Sequence, residues 1–312
     1  MVRYIGLRLL QLVPVLLGIT LATFALIHLV PGNPARTLLG EHATPRAVAV
    51  LDHQFGLDRP LPVQFIDYLG RLIRGNLGTS LYYDTSVGSL ITHALPVTLL
   101  MLLLGASLGI LFAVPLALLA ATRRGRATDH AIRIVPLVGL GMPPFWVGFI
   151  LLLAFPLTLH ILPAGGYGTS FGQHLESLLL PALTISAVTT PILVRSLRTS
   201  LIGVLESDFV RAATAKGLSR RRVLLRHGLR NTLIPTVSVL AVNLGSLLGG
   251  TVVVENVFGL PGVGNLLLTG IFNRDFQLVQ SITLVYALLV VLINLTADVA
   301  YASLDPRVVL GR

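Results

Sequence analysis

Long apolar segments dominate this chain and restrict what it can fold into. At 1.5 Å rise per residue, about 20 apolar residues let a helix cross the hydrocarbon core of a membrane. Charged residues make up only 12% of the chain, about half the share that is usual in soluble domains. We therefore predict an all-α polytopic membrane protein with about six transmembrane helices. The predicted spans are Leu9–Val30, Leu95–Ala121, Ile132–Leu159, Leu178–Leu197, Leu233–Val254 and Ile282–Leu304.

The first apolar segment resembles a secretory signal because Arg3 and Arg8 precede it. It is longer than the roughly 7–15 apolar residues of a cleaved signal, so we predict a retained helix. Pro143 and Pro144 lie inside the third segment, where we expect neighbouring helices to satisfy the freed backbone groups. The chain then divides into a tail and first helix at 1–30, an external loop or subdomain at 31–94, and a five-helix core at 95–312.

Basic residues are distributed unevenly between the two sides of the predicted bundle. Seventeen of the 23 lie in the N-terminal tail, the loops after spans 2 and 4, and the C-terminus; six lie on the other side. Cytoplasmic segments carry the excess of Lys and Arg in membrane proteins. Both termini, and the loop at 199–232 after span 4, are therefore predicted to be cytoplasmic.

This cytoplasmic loop contains a predicted short helix from Asp208 to Gly217. Ser207 or Asp208 is placed to accept the free N–H groups at its start, and Gly217 suits the left-handed position just after its end. Asp208 and Arg211 have the spacing of an ion pair on a helix. Phe209, Ala212 and Ala213 are predicted to share one face, a single aromatic side chain beside small residues, which is suited to close docking in a partner's groove.

The same loop carries a resemblance to a known family. Ala212-Ala213-x-x-x-Gly217, within DFVRAATAKGLSRRRVLLRHGLRNTLIP (208–235), is similar to the cytoplasmic loop motif of ABC importer permeases. Further segments resemble the B-type subunit of the dipeptide/oligopeptide branch. They are RLLQLVPVLLGIT (8–20), LVPGNP (29–34), FGLDRPLPVQFIDYL (55–69), GNLGTS (75–80), ENVFGLPGVGNLL (255–267), RDFQLVQ (274–280) and DPR (305–307). Arg211 departs from the general motif, which has Glu there.

The resemblance implies a permease subunit of the bacterial plasma (inner) membrane, with the type I ABC importer transmembrane architecture. It implies a second homologous permease, one or two cytoplasmic ATP-binding subunits and an extracytoplasmic substrate-binding protein, but no nucleic acid. The ATPase subunits would dock on the helix at 208–217, a coupling helix whose motif positions include Asp208, Phe209, Arg211, Ala212, Ala213, Lys216 and Gly217.

The resemblance also implies that ATP and Mg are bound by the partner ATPases, so that this chain has no catalytic residue, metal site or cofactor. The residues agree with this division of labour. A phosphate-binding loop ends in Gly-Lys-Ser/Thr, whereas the sole lysine, Lys216, is followed by Gly217-Leu218. The expected substrates are di- and oligopeptides. A nickel chelate, a glutathione-like solute or a sugar is the alternative.

Three other functions are alternatives to transport driven by separate ATPase subunits. Gly105-Ala106-Ser107-Leu108-Gly109 matches the Gly-x-Ser-x-Gly pattern of serine hydrolases, but small residues at this spacing more often permit close helix packing. A serine nucleophile also needs a base, and His28 is the only histidine well inside a predicted span. A proton-driven transporter needs ionisable residues near the midplane, and a passive channel is the third alternative; neither needs a docking helix.

Two external features complete the predictions. Leu260-Pro261-Gly262-Val263 has the residues of a type II turn. Pro261 and Gly262 are predicted to belong to a folded-back segment that helps to close an external gate, and a plain structural turn is the alternative. In the loop at 31–94, aromatic residues and prolines predict a small packed subdomain.

Overall fold

The computed structural model describes residues 2–29, 43–56 and 58–304, and it is almost entirely helical. Val30 and the segments at 31–42 and 305–312, including DPR, lie outside the described residues. The helices before the loop at 199–232 are α1 Val2–Leu29, α2 Pro45–Phe55, α3 Leu61–Ile73, α4 Val87–Thr122, α5 Ala127–Leu140, α6 Pro144–Leu152 and α7 Phe171–Leu205. Those that follow are α8 Asp208–Ala215, α9 Arg220–Arg222, α10 Arg230–Val257, α11 Val263–Phe272 and α12 Phe276–Leu304.

Four helices are long and apolar enough to cross a membrane, and they contain predicted spans two, four, five and six. Their apolar parts are Val87–Thr122, Phe171–Leu205, Thr236–Val257 and Phe276–Val299. The first predicted span lies in α1, whose apolar part is Val13–Ala25. These helices confirm a polytopic, all-α membrane protein.

The third predicted span, Ile132–Leu159, is wrong as a single helix. α5 ends at Leu140, and the chain turns before α6 begins at Pro144 and continues as a π-helical turn, Leu153–Thr158. Pro143 has φ −59° and ψ 141°, which is outside the helical region. The ring of Pro144 disfavours a helical Pro143, so the consecutive prolines force the chain out of the helix. The isolated Pro115 and Pro191 remain inside α4 and α7.

The core is centred on the contact between α4 and α7, in which small residues bring the two backbones together. A Cβ added to Gly105 would lie 2.6 Å from Cγ2 of Ile185, and one added to Gly109 would lie 3.1 Å from Cβ of Thr189. Further along α4, buried alanines pack against buried leucines of α7; they are Ala113, Ala117 and Ala120 with Leu193, Leu197 and Leu201. Ser107 is exposed on another side of α4.

The segment before α4 is tied to the start of α12. A two-residue hairpin pairs β1 (Thr79–Ser80) with β2 (Thr85–Ser86). Ser80 Oγ donates a 2.5 Å hydrogen bond to Oδ2 of Asp275, while Oδ1 of Asp275 accepts from the Leu278 N–H at the first turn of α12. Gln277 Nε2 donates to the Leu77 carbonyl. Asp275 therefore caps α12 and holds the hairpin against it.

Earlier in the chain, α3 lies against α1. The ring of Phe24 contacts Phe65 edge-on at 5.3 Å between centroids and stacks on Tyr68 at 6.1 Å. Tyr68 is only 3% exposed. The described part of 31–94 thus contains packed helices rather than an extended linker.

Candidate functional site

The helix predicted at 208–217 is present as α8, and its end forms as the sequence predicts. Gly217 has φ +81°. Its N–H donates to the Thr214 carbonyl, and the Leu218 N–H donates to the Ala213 carbonyl. This pair of bonds is the Schellman motif, in which a glycine takes the left-handed position and satisfies carbonyls that the helix leaves free.

The start of α8 differs from the prediction. Ser207 has extended N-cap backbone angles, but its side chain accepts no hydrogen bond from the helix; its hydroxyl donates to the Val204 carbonyl at 2.5 Å. The Asp208 side chain is fully exposed and pairs with Arg211 at 3.9 Å. Side-chain capping by Ser207 or Asp208 is therefore wrong, because Ser207 is bonded back to the end of α7.

The predicted common face of Phe209, Ala212 and Ala213 is also not what the structure shows. Ala213 is buried together with Val210 and packs against Val223. Phe209 is 49% exposed, and Ala212 is exposed. Positions i and i+3 lie on one side of a helix, so Val210 and Ala213 form the inward side. Ala212 lies on the outward side, which also carries Asp208, Arg211, Ala215 and Lys216.

The arginine run continues this unit into the next span. Arg220–Arg222 form one turn, which passes through a π-helical segment, Val223–Leu229, directly into α10. Arg221 and Arg222 are exposed. Through Val223, α8 packs on the segment that leads directly into α10, a long apolar helix.

Two ion pairs join the end of α7 to the turn between α4 and α5 and to the start of α5. Arg198 on α7 binds Asp129 on α5 through two hydrogen bonds, Nε to Oδ1 at 2.6 Å and Nη2 to Oδ2 at 2.7 Å. This hydrogen-bonding lowers the pKa of the buried Asp129 carboxyl to about 2, aided by the Gly125 N–H. Arg124, just after α4, forms an ion pair with Glu206, which immediately precedes Ser207.

The predicted gate segment folds back between α10 and α11, but its turn is not of type II. A type II turn needs φ near +80° at Gly262, whereas Gly262 has φ −96° and serves as the N-cap of α11. The residue with positive φ is Gly259, at +59°. Pro261 is exposed and Gly262 is buried.

Glu255 is the residue of this region that the sequence-based analysis missed. Its side chain is fully buried, and it accepts hydrogen bonds from Thr98 Oγ1 at 2.6 Å and from the Asn265 N–H at 3.0 Å. The carboxylate thus caps the start of α11 from the end of α10. The available signal was a lone carboxylate in an apolar segment, which is costly in a membrane unless it has partners.

Within the part of the chain that the structure describes, no group of three or more His, Cys, Asp or Glu side chains is arranged to hold a metal ion. A basic cleft of about 420 Å³ lies near α8, and an apolar groove of about 680 Å³ lies between α4, α5, α6 and α7.

Comparison with known protein families agrees with this arrangement of helices and loop. Residues 113–310 match the family described as the binding-protein-dependent transport system inner membrane component, and residues 1–102 match the N-terminal family of the same membrane components. The chain belongs to this family. It is therefore a membrane-spanning permease component of an ABC transporter, and the protease, secondary-transporter and channel alternatives are set aside.

Similar proteins cover the full length of the permease. The oligopeptide transport system permease protein AppB of Bacillus subtilis is 35% identical, and the glutathione transport system permease protein GsiC of Salmonella choleraesuis is 37% identical. The di/tripeptide transport system permease protein DppB of Pseudomonas aeruginosa is 36% identical. In each case 99% of both chains is covered.

The fold is also that of a solved transporter. The permease resembles a chain of the inward-facing MetNI methionine ABC transporter with a TM-score of 0.58 and 15% identity, covering 69% of this chain and 96% of that one. At this identity the likeness shows the fold alone, and it supports the ABC importer membrane-subunit architecture.

Proposed function

We propose that this permease imports di- and oligopeptides, including tripeptides such as glutathione, as one subunit of an ATP-driven complex. The observation that carries the proposal is full-length similarity, at 35–37% identity, to permeases of oligopeptide, glutathione and di/tripeptide systems. All three names denote peptides, so a peptide is favoured over a nickel chelate or a sugar.

The complete machine would contain a second homologous permease, one or two ATP-binding subunits and an external binding protein. ATP and Mg would be bound by the ATPase subunits. In the most apolar stretches of α10 and α12 only 22% of residues are buried within this chain, against 61% in α7. The apolar faces of α10 and α12 are available to lipid and to a second permease.

The substrate proposal is tested by uptake in cells or proteoliposomes that contain the permease with the products of its neighbouring genes. Labelled dipeptide, tripeptide and a longer peptide are compared with a labelled sugar and a nickel chelate. We expect ATP-dependent uptake of at least one peptide. Uptake confined to the sugar or the chelate would contradict the peptide assignment while leaving the permease function intact.

The outward side of α8 is proposed as the surface on which an ATPase subunit docks. Ala212 lies on this side beside charged residues, and α8 is joined to α10 through the packing of Val210 and Ala213 on Val223. A movement of α8 caused by the ATPase subunit would therefore be transmitted to α10. Gly217 forms the turn after α8 with φ +81°, a backbone conformation that is strained for other residues.

Docking is tested with Ala212→Arg, which places a bulky charge on the outward side without entering the core. A desolvated, unpaired charge at an interface commonly costs a few kcal/mol. We expect the purified complex to lose its ATPase subunits and its substrate-stimulated ATP hydrolysis. Ala49→Arg, at an exposed position of α2, is the matched control. Normal co-purification and hydrolysis with Ala212→Arg would rule out this side of α8.

The proposed orientation has α8 in the cytoplasm and the external loops outside, as the distribution of basic residues predicts. Because the chain has no cysteine, single cysteines report topology directly. An impermeant thiol reagent applied to intact cells should label Val50→Cys and Ser170→Cys but not Gly125→Cys or Ala215→Cys, all at exposed positions. Labelling of Ala215→Cys would reverse the orientation.

A further inference from the structure

The basic cleft beside α8 lies where three helices reach the end of their apolar segments. It has a volume of about 420 Å³, and its polar lining comes from the α4–α5 turn, the first turns of α5 and the last turns of α7. These lining residues are Arg124, Asp129, His130, Arg133, Arg198 and Thr199. The neighbouring Ala120 and Leu201 are buried in the apolar core. The α4 part of the lining begins just after Thr122, where the apolar helix ends, and this is the level expected for lipid headgroups.

The charge of the cleft is positive and only partly neutralised. Asp129 is fully engaged by Arg198 and the Gly125 N–H, so that pair contributes no net charge. The charge of Arg124 is partly neutralised by its ion pair with Glu206. Arg133 is exposed and forms no ion pair with any residue that the structure describes. The guanidinium group is suited to carboxylate or phosphate oxygens, which it can bind through two N–H donors at once.

A separate apolar groove lies further along the same helices. It has a volume of about 680 Å³ and is lined on α4, α5 and α7 by residues including Phe112, Leu116, Pro136, Ala187 and Pro191. On α4 and α7 these positions lie about two to three turns from the cleft residues, and on α5 Pro136 lies within one turn of Arg133. The spacing of Leu116 and Arg124, and of Pro191 and Arg198, keeps each pair on one side of its helix.

We propose that the cleft and groove together bind one anionic phospholipid, with the headgroup phosphate at Arg133 and Arg124 and an acyl chain in the apolar groove. Basic pockets between helices at the membrane surface are suited to acidic headgroups. The apolar groove, which begins within one turn of Arg133 on α5, provides for the acyl chain, which a soluble phosphate does not have. The lipid would lie next to Glu206, which shares Arg124 and immediately precedes the N-cap of α8.

Binding is measured by native mass spectrometry of the purified full-length chain in detergent, titrated with phosphatidylglycerol. Near an anionic membrane surface each basic residue contributes about 1 kcal/mol, or roughly fivefold in affinity. Arg133→Ala should weaken binding by about fivefold or more, and Arg133→Lys should recover most of it. Arg126→Ala is the matched control, since Arg126 is an exposed arginine of the α4–α5 turn that does not line the cleft. Equal losses in Arg133→Ala and Arg126→Ala would overturn the site.

Two further titrations test whether the site requires an anionic headgroup and whether it requires an acyl chain. Phosphatidylcholine should bind at least fivefold more weakly than phosphatidylglycerol, and glycerol 3-phosphate should bind more weakly still because it has no acyl chain. Equal binding of phosphatidylcholine would overturn the charge-based site, and equal binding of glycerol 3-phosphate would overturn the lipid assignment. Ala187→Phe, which fills the groove, should weaken lipid binding, whereas Leu111→Phe, at an exposed position outside the groove, should not.

Discussion

Thr98 Oγ1 donates a 2.6 Å hydrogen bond to Oε1 of Glu255, joining the first third of α4 to the end of α10. The same hydroxyl accepts from the Val263 N–H at 2.9 Å. A single buried carboxylate and one hydroxyl thereby fix the start of α11 to two spans. The approach is so close that a Cβ on Gly262 would lie 2.3 Å from the Glu255 carboxyl carbon. This contact, rather than backbone conformation, requires glycine at position 262.

A double-mutant cycle on these two residues tests that explanation. Gly262→Ala should destabilise the chain by about 1–3 kcal/mol, the usual cost of overpacking. In the Glu255→Ala background the clash is absent and φ −96° suits alanine, so the same change should cost close to zero. The measurement is the free energy of unfolding of the purified chain in detergent.

The single change Glu255→Ala should itself cost about 2–4 kcal/mol, because the Asn265 N–H loses a charged acceptor in a buried site. Thr98→Val, which keeps the shape but removes the hydroxyl, is the control for the Thr98 part of the network. Additive effects of Gly262→Ala and Glu255→Ala would show that the glycine is required for another reason.

Much of the fold was predictable because it depends on local properties of the sequence. Apolar length identified the four helices that are long and apolar enough to cross a membrane, and the Schellman glycine at position 217 ended α8 where expected. The prediction of the third span as one helix was wrong, and the reason is also local. The consecutive Pro143 and Pro144 restrict the backbone more than isolated prolines do.

What the sequence could not provide are the contacts between distant segments. The partners of Glu255 lie on α4 and α11, and Ser80 meets Asp275 across 195 positions. The outward side of α8 was also misassigned, because its inward side depends on where Val223 packs. Periodicity in an eight-residue helix cannot specify which side meets the rest of the chain.

The two alanines of α8 should respond differently to the same substitution. Ala213→Arg buries a charge against Val210 and Val223, so it should lower the stability and yield of the chain itself. Ala212→Arg should leave both within the range of ordinary surface changes, about 0.5 kcal/mol. Thermal unfolding of the isolated chain, without partner subunits, is the measurement. Equal destabilisation by both changes would contradict the assigned inward and outward sides.

Close packing of α4 on α7 predicts a graded response at the Gly-x-Ser-x-Gly segment. Gly105→Ala should cost about 1–3 kcal/mol because its Cβ would lie 2.6 Å from Ile185 Cγ2 and 3.2 Å from the Ala182 carbonyl oxygen. Gly109→Ala, at 3.1 Å from Thr189, should cost less. Ser107→Ala, on the exposed side, should change stability and transport little. If Ser107→Ala abolished transport in a stable complex, the serine would have a role that packing does not provide.

The ion pair between Asp129 and Arg198 should make a pH-dependent contribution to stability. Hydrogen-bonding to Arg198 holds the pKa of Asp129 at about 2, below its ordinary value of 3.8. The unfolded chain therefore takes up this proton at a higher pH than the folded chain does, so the contribution is complete above about pH 5 and is lost as the pH falls toward 2. Asp129→Asn removes it, and breaking such a buried pair costs about 3–5 kcal/mol.

The difference in unfolding free energy between wild type and Asp129→Asn should accordingly stay constant from pH 8 to pH 5 and shrink below about pH 4. Asp208→Asn is the matched control, because its fully exposed carboxylate pairs with Arg211 only at 3.9 Å; its effect should stay within about 0.5 kcal/mol at every pH. Chemical unfolding of the purified chain across this pH range gives both differences. A difference for Asp129→Asn that already declines between pH 7 and pH 5 would mean that Arg198 does not hold the carboxylate ionised as the geometry requires.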